Sequence, residues 1–203
     1  MRDFSDAPTP LVIIRPRGAR LIEARSPKLG RLVQHFDYAS FQQWIRLEAD
    51  PSVSTFCERP ARISAEPSSL LINYWVSRRS AQEFVVLVTG EMPTDLPKEH
   101  DGKPLSVVTP PELATASIWI DNWQRMLPVI NCSANLVPPA LKKSVLALAN
   151  ASITLLSMER ELAKSQPMLV RAAAFDLLRT GGLVAPSLHT QKLSLHTVLE
   201  PIQ

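Results

Sequence analysis

The sequence predicts an α/β protein in two parts, an N-terminal unit of mixed helices and strands and a small, mainly helical C-terminal unit. Apolar residues form 45% and charged residues 20% of the 203 residues, close to the globular averages of about 45–50% and 25%, so the chain can bury a core. Strand-forming runs are frequent before residue 110, whereas helical spacing dominates after Pro138. We therefore place the domain boundary near residues 132–138, between domains of residues 35–135 and 136–203.

Composition excludes several classes of protein. The longest apolar stretch, residues 145–158, is interrupted by polar side chains and is shorter than the ~20 residues that span a bilayer. The N-terminus lacks the apolar segment of a signal peptide. Two cysteines, Cys57 and Cys132, cannot build a disulfide framework or a four-ligand zinc site. We expect a cytoplasmic protein without a membrane partner.

The N-terminal unit is predicted to start with a helix over residues 36–49, because Phe41, Trp44 and Ile45 fall on one side. The helix should end at Asp50, since the residue before a proline avoids the α conformation. Two short strands and then two longer β-rich runs follow, and the second long run is apolar enough for a buried central strand. These four segments are residues 53–57, 61–64, 70–77 and 83–89.

The two long runs are separated by only a few residues, which predicts a β-hairpin. Residues 90–104 hold three prolines and many charges, typical of a loop or a degraded helix. A short strand over residues 105–109 and a helix from Pro110 to Leu127 complete the N-terminal unit.

The C-terminal unit is predicted to contain three helices, over residues 140–157, 158–164 and 167–179. Gly181 and Gly182 follow the third helix as C-cap glycines, and a strand-like tail reaches residue 198. Three helices, a glycine turn and a β-tail form a winged-helix pattern.

In that pattern the third helix would be the recognition helix, and Gln191 and Lys192 would lie on the wing. The helix has few polar side chains, mainly Arg171, Asp176 and Arg179, whereas helices that read bases present several. The module could therefore dock protein at least as well as DNA.

The charge is unevenly distributed near the N-terminus. Residues 1–34, which we call the basic arm, are predicted to be irregular because Pro16, Gly18, Pro27 and Gly30 interrupt them. The arm carries six basic residues against one acid between positions 15 and 31, which favours contact with a phosphate backbone. These candidate DNA-binding residues are Arg15, Arg17, Arg20, Arg25, Lys28 and Arg31. The alternative is a solvated leader.

A metal-dependent nuclease needs carboxylates that converge on one cation, with a lysine beside them. In nucleases of the PD-(D/E)XK class these residues lie on a helix, on one strand of a hairpin and on the next strand. The predicted order of elements in this chain is the same, so its motifs can be compared position by position.

Six segments resemble, in order, those of the TnsA family, the endonuclease subunits of heteromeric cut-and-paste transposases. The resemblance covers residues 26–198. The segments are SPKLGR (26–31), LEADPSV with FCERP (47–60), NYWV (73–76), FVVLVT (84–89), VVT through DN and Leu127 (107–127), and AAFDLLRTGGLVAPSLHTQKLSLHT (173–197). The resemblance implies a PD-(D/E)XK endonuclease-like domain followed by a winged-helix-like domain.

The positions that carry catalysis in the family are replaced here. The helix glutamate falls at Ser40, or at Gln42 if the alignment shifts, and the aspartate falls at Asn73. The acid and the lysine of the "EVK" strand fall at Leu87 and Thr89. None of these side chains carries the negative charge that a divalent cation prefers, so the resemblance argues against nuclease chemistry and implies no cofactor.

The resemblance implies an adaptor that binds double-stranded DNA at transposon ends and bridges a DDE-type transposase and an AAA+ ATPase regulator. One alternative is an active endonuclease that uses Mg²⁺ at a relocated site, for which the nearby acids are Glu48, Asp50, Glu58, Glu83 and Glu91. Another is a free-standing winged-helix DNA-binding regulator. No P-loop, dinucleotide fingerprint or serine-hydrolase motif occurs.

Overall fold

A computed structural model describes residues 7–66, 68–90, 93, 95–163 and 166–202. The chain forms two compact units. The first contains residues up to 47 together with 52–114, and the second contains residues 48–51 together with everything from 115 onward. None of the helices within the described ranges is long and apolar enough to cross a membrane.

A β-hairpin lies within the segment predicted to be an irregular arm. Its strands, β1 (Ile22–Arg25) and β2 (Leu32–His35), are antiparallel, with Ile22 opposite His35. Val33 and His35 are buried while Leu32 is exposed, which is the alternation of a strand with one buried face. The prediction was wrong for these residues because a strand of four residues gives too little pattern to outweigh the neighbouring prolines and glycines. Residues 1–6 of the arm lie outside the described residues.

The first long helix, α1 (Tyr38–Ala49), confirms the prediction for residues 36–49. Asp37 caps it, because its carboxylate accepts a hydrogen bond from the backbone N–H of Ser40 at 2.7 Å. Trp44 and Ile45 are buried on one side, and the helix ends before Asp50 and Pro51 as expected.

A five-stranded mixed sheet forms the centre of the first unit. Its strands are β3 (Val53–Glu58), β4 (Tyr74–Arg78), β5 (Gln82–Leu87), β6 (Glu99–His100) and β7 (Lys103–Val108). The order across the sheet is β3-β4-β5-β7-β6, and only β5 and β7 are parallel. The predicted hairpin and the buried central strand are confirmed as β4 and β5.

The sheet buries an apolar cluster that includes Ile72, Trp75, Phe84 and Val86. The strand predicted over residues 61–64 is reduced to one bridge between Arg62 and Leu71. The predicted loop at residues 90–104 contains the two residues of β6, and its residues 91, 92 and 94 lie outside the described ranges.

Two helices follow the sheet where one was predicted. The helix α2 (Pro110–Thr115) is short, and α3 (Ser117–Ser133) continues across Pro128. The expected boundary at residues 132–138 falls after α3, whereas the structure groups α3 with the second unit.

The rest of the second unit contains three helices and a small sheet. The helices are α4 (Pro139–Ala149), α5 (Leu155–Leu162) and α6 (Pro167–Thr180). The strands β8 (Ile153–Thr154), β9 (Leu183–Val184) and β10 (Val198–Pro201) form an antiparallel sheet in the order β8-β10-β9.

A 3₁₀ turn over Pro186–His189 follows β9. The prediction for α6 is confirmed, including its C-cap at Gly181, where φ is +74°. The helix predicted over residues 140–157 is split, because a turn at Ser152, with φ of +49°, leads into β8.

Candidate functional site

Three residues that are far apart in the sequence meet at one point in the first unit. Ser40 lies in the first turn of α1, Asn73 directly precedes β4, and Leu87 ends β5. The Asn73 side-chain amide donates to Ser40 Oγ at 3.4 Å, and the backbone N–H of Leu87 donates to Asn73 Oδ1 at 2.8 Å. These are three of the positions at which the TnsA resemblance places catalytic acids.

Gln42, the alternative position for the helix acid, and Thr89, the position of the family's lysine, lie elsewhere. Two residues along a helix correspond to a rotation of about 200°, so Gln42 is on the opposite side of α1 from Ser40. Thr89 is exposed and lies beyond the end of β5. The alignment that uses Ser40 therefore agrees better with the geometry than the one that uses Gln42.

Ser40 and Asn73 line a cavity of about 120 Å³. That volume is small beside the ~300–1,000 Å³ of most ligand pockets, so the cavity does not hold a nucleotide-sized molecule without rearrangement. Its polar lining also includes Glu58, one of the acids considered for a relocated site, and side chains such as His35 and Tyr74 that sequence reasoning did not single out. The remaining lining residues are Ile13, Pro16, Phe36, Asp37, Arg59 and Leu71.

Both carboxylates of the cavity are engaged by neighbouring side chains. Asp37 accepts hydrogen bonds from the backbone N–H and the hydroxyl of Ser40, each at 2.7 Å. Glu58 is 3% exposed and accepts two hydrogen bonds from the Arg31 guanidinium, at 2.5 and 2.6 Å. The pair with Arg31 balances the buried charge of Glu58, which would otherwise be costly.

The donor atoms at the meeting point do not fit a divalent cation. Ser40 offers a neutral hydroxyl, the oxygen of Asn73 already accepts from Leu87, and the side chain of Leu87 is apolar. Mg²⁺ is usually bound through one or two carboxylates. Over the described residues, no three His, Cys, Asp or Glu side chains are grouped so that they could hold a metal ion.

His35 and Tyr74 form a buried polar pair beside Ser40. The Tyr74 hydroxyl donates to the backbone oxygen of Ser40 at 2.7 Å and lies 3.2 Å from His35 Nδ1. Burial lowers the pKa of His35 to about 4 and raises the pKa of Tyr74 well above its usual value, so both are neutral at pH 7. The His35 imidazole is hydrogen-bonded to Tyr74, and the Ser40 hydroxyl donates to Asp37. Ser40 and His35 therefore do not form the serine–histidine pair of a nucleophilic site.

The six candidate DNA-binding residues have different environments. Arg15, Arg17, Arg20 and Arg25 are exposed. Lys28 donates from Nζ to the backbone oxygen of Leu47 at 2.7 Å, and Arg31 is paired with Glu58. These last two side chains therefore stabilise the first unit, and we assign the surface charge that could meet a phosphate backbone to Arg15, Arg17 and Arg20.

The predicted recognition helix, α6, is an internal helix of the second unit. Four consecutive residues, 172–175, are buried, and because they cover a full turn every side of the helix middle is enclosed. Helices α3, α4 and α5 all pack against α6. This burial disfavours insertion of α6 into a DNA groove.

The polar side chains of α6 bond within the same unit. Arg171 pairs with Glu159 of α5. Asp176 accepts from Lys142 of α4 at 2.5 Å and from Arg179 at 2.7 Å. The interpretation that these side chains face DNA is therefore not supported by their contacts.

The segment between β9 and β10, where the wing was predicted, is attached to α3 by Asn122. This side chain is 1% exposed and donates to the backbone oxygens of Leu188 and Gln191 at 2.9 and 2.8 Å. Its own oxygen accepts from the N–H of Leu193 at 2.7 Å. The Trp119 and His189 rings stack nearby, with centroids 4.0 Å apart, while Gln191 and Lys192 remain exposed.

Comparison with protein-family models and with curated protein sequences finds no match to this chain.

Proposed function

We propose that the protein is a TnsA-like transposition adaptor, with a PD-(D/E)XK-like first unit that has lost its metal-binding acids. The observation that carries this proposal is the convergence of Ser40, Asn73 and Leu87. They lie on a helix, before one strand of a hairpin and on the next strand, which is the placement that the nuclease class requires. None of the three side chains is a carboxylate that could hold Mg²⁺, so the proposed role is that of an adaptor without hydrolysis and without a cofactor.

The topology of the second unit supports a winged-helix assignment. The chain runs from α4 through β8, α5 and α6 to β9 and β10, and the last strand lies between the other two. In a winged helix the wing joins two antiparallel strands, and here the segment after β9 leads to its antiparallel neighbour β10. The burial of α6 by α3 favours a module that docks a protein, and the proposed partner is the AAA+ ATPase regulator.

DNA contact is assigned to the exposed arginines of the basic arm. Arg15, Arg17 and Arg20 lie within six residues of one another and are exposed. Guanidinium groups bind phosphates through paired N–H donors, and each contact releases counterions from the duplex. The proposed role is to hold the transposon end for a DDE-type transposase that makes the cut on the other strand.

The DNA contact is tested by fluorescence anisotropy on a short labelled duplex, titrated with salt. The variant Arg15→Ala/Arg17→Ala/Arg20→Ala should reduce the slope of log K against log salt by about 2.7, if each arginine contacts one phosphate. A matched control, Arg125→Ala/Lys143→Ala/Arg160→Ala, removes the same charge from exposed positions of the second unit. Equal slopes for the two variants would contradict the assignment.

The adaptor role is tested by the products of transposition. If the first strand is not cut by this protein, the element should move by forming cointegrates, and deletion of the protein should reduce their number. Simple insertions that depend on this protein would contradict the proposal.

A further inference from the structure

Three exposed arginines surround a tight turn in the basic arm. The backbone N–H of Ala19 donates to the oxygen of Pro16 at 3.0 Å, and Gly18 has a φ of +81°. Gly18 is the third of the four turn residues, 16–19, and a φ near +80° at that position is typical of a type II turn. Glycine adopts this φ without strain. We call residues 15–20 the arginine turn.

The arginine turn is held at both ends by the body of the first unit. Before it, the N–H of Leu11 donates to the oxygen of Arg59 at 2.8 Å, and Ile13 lines the cavity beside Ser40. After it, the chain enters β1 at Ile22. Both ends of the turn are therefore anchored to the first unit, and the turn loses less conformational entropy on binding than a free tail would lose.

We propose that the arginine turn binds the minor groove of A·T-rich duplex DNA. This inference rests on the proposed DNA-binding function and specifies its groove and its base composition. The minor groove is about 6 Å wide, too narrow for the backbone of a β-turn, whose ends lie up to about 7 Å apart. An arginine side chain does fit, so the turn can stay outside the groove while its arginines enter it. No atom lies within 4 Å of the position of a Cβ on Gly18, so the tip is open to the approach of a partner.

The side chains of the turn suit this groove. All three basic residues are arginine, and the narrow minor groove of A·T tracts concentrates negative potential that attracts arginine. Val12 and Ile14, just before the turn, are almost fully exposed. Proteins that bind the minor groove often add apolar side chains to their basic ones, whereas a solvated leader would present polar residues there.

The groove is identified by anisotropy with three duplexes of equal length, containing A·T, G·C or inosine·cytosine pairs. Inosine lacks the 2-amino group of guanine, so its pair resembles A·T in the minor groove and G·C in the major groove. We expect A·T and inosine·cytosine duplexes to bind alike, and the G·C duplex to bind roughly tenfold more weakly.

The geometry of the turn is tested at constant charge with Gly18→Ala. A side chain strains a backbone with positive φ, so Gly18→Ala should distort the turn and weaken binding of the A·T duplex by roughly tenfold. The matched control is Gly102→Ala, which has a φ of +66°, lies in another turn and likewise has no atom within 4 Å. Gly102→Ala should lower the stability of the protein about as much as Gly18→Ala does, and it should leave DNA binding unchanged.

The outcomes separate this inference from the function on which it rests. Equal binding of all three duplexes, or unchanged binding by Gly18→Ala, overturns the minor-groove assignment and leaves the DNA-binding function standing. If the inosine·cytosine duplex binds as weakly as the G·C duplex, the minor-groove assignment is overturned in favour of the major groove. If no duplex binds, both the inference and the proposed DNA contact are overturned.

Discussion

Replacing Asn122 with alanine is expected to destabilise the second unit and release the segment between β9 and β10. The side chain is 1% exposed and takes part in three hydrogen bonds to backbone groups of residues 188–193. Each such bond contributes about 1 kcal/mol, and groups left buried without a partner cost more. Gln191 is exposed, so its carbonyl can be rehydrated in the variant. The expected loss of unfolding free energy is therefore about 2–3 kcal/mol.

The assay is urea unfolding followed by tryptophan fluorescence, since Trp119 and Trp123 lie on the same helix as Asn122. The matched control is Asp121→Ala, an exposed neighbour whose replacement should change stability by no more than about 0.5 kcal/mol. Amide exchange at Leu193 should also become faster in Asn122→Ala alone. A loss below about 1 kcal/mol, or equal losses in both variants, would refute the assignment of Asn122 as the anchor of this segment.

Three further results are expected. Burial lowers the pKa of His35 to about 4 from 6.5, so on acidification His35 is protonated at a higher pH in the unfolded chain than in the folded protein. The free energy of unfolding should therefore fall by up to ~3 kcal/mol as the pH drops from 6.5 to 4, and the loss should be smaller in His35→Gln. Burial raises the pKa of the Cys57 thiol to about 12, so iodoacetamide should label only the exposed Cys132 until the protein is unfolded. Burial opposes the charge of Asp176, but its bonds to Lys142 and Arg179 outweigh this and lower its pKa; Asp176→Asn should cost about 1–2 kcal/mol in urea unfolding.

The long elements could be predicted from the sequence because their patterns extend over several turns or residue pairs. The helix α1 ends where Asp50 and Pro51 require it, and α6 ends at Gly181. The hairpin of β1 and β2 was missed, since strands of four residues are stabilised by pairing across the chain, which no local pattern records. The break between α4 and α5 depends on the backbone conformation of Ser152, a residue with no intrinsic preference for positive φ.

The candidate site stays a prediction as a functional site. Of the positions that the resemblance selected, Ser40, Asn73 and Leu87 lie together, whereas Gln42 and Thr89 lie elsewhere. The resemblance did not select His35 or Tyr74, because their pairing joins a strand residue to one nearly forty positions away. Asp37 could have been recognised as a helix cap from its position before the apolar pattern of α1.

The internal use of polar residues could not be predicted from composition. By sequence Arg31 is one of the candidate DNA-binding residues of the basic arm, but in the structure it pairs with Glu58. Arg171 likewise counted as a polar residue of a recognition helix, although it pairs with Glu159 inside the second unit. A charge pattern shows how many charged side chains a segment carries, whereas the fold determines which of them face a partner.

The proposed lack of nuclease activity is tested most directly by incubating the purified protein with supercoiled plasmid and Mg²⁺ or Mn²⁺. We predict that the plasmid is retarded in a gel by binding and that no nicked or linear product forms above the protein-free control. Metal-dependent nicking that disappears in Asp50→Ala and persists in the exposed control Asp121→Ala would contradict the account and establish an active endonuclease with a relocated site.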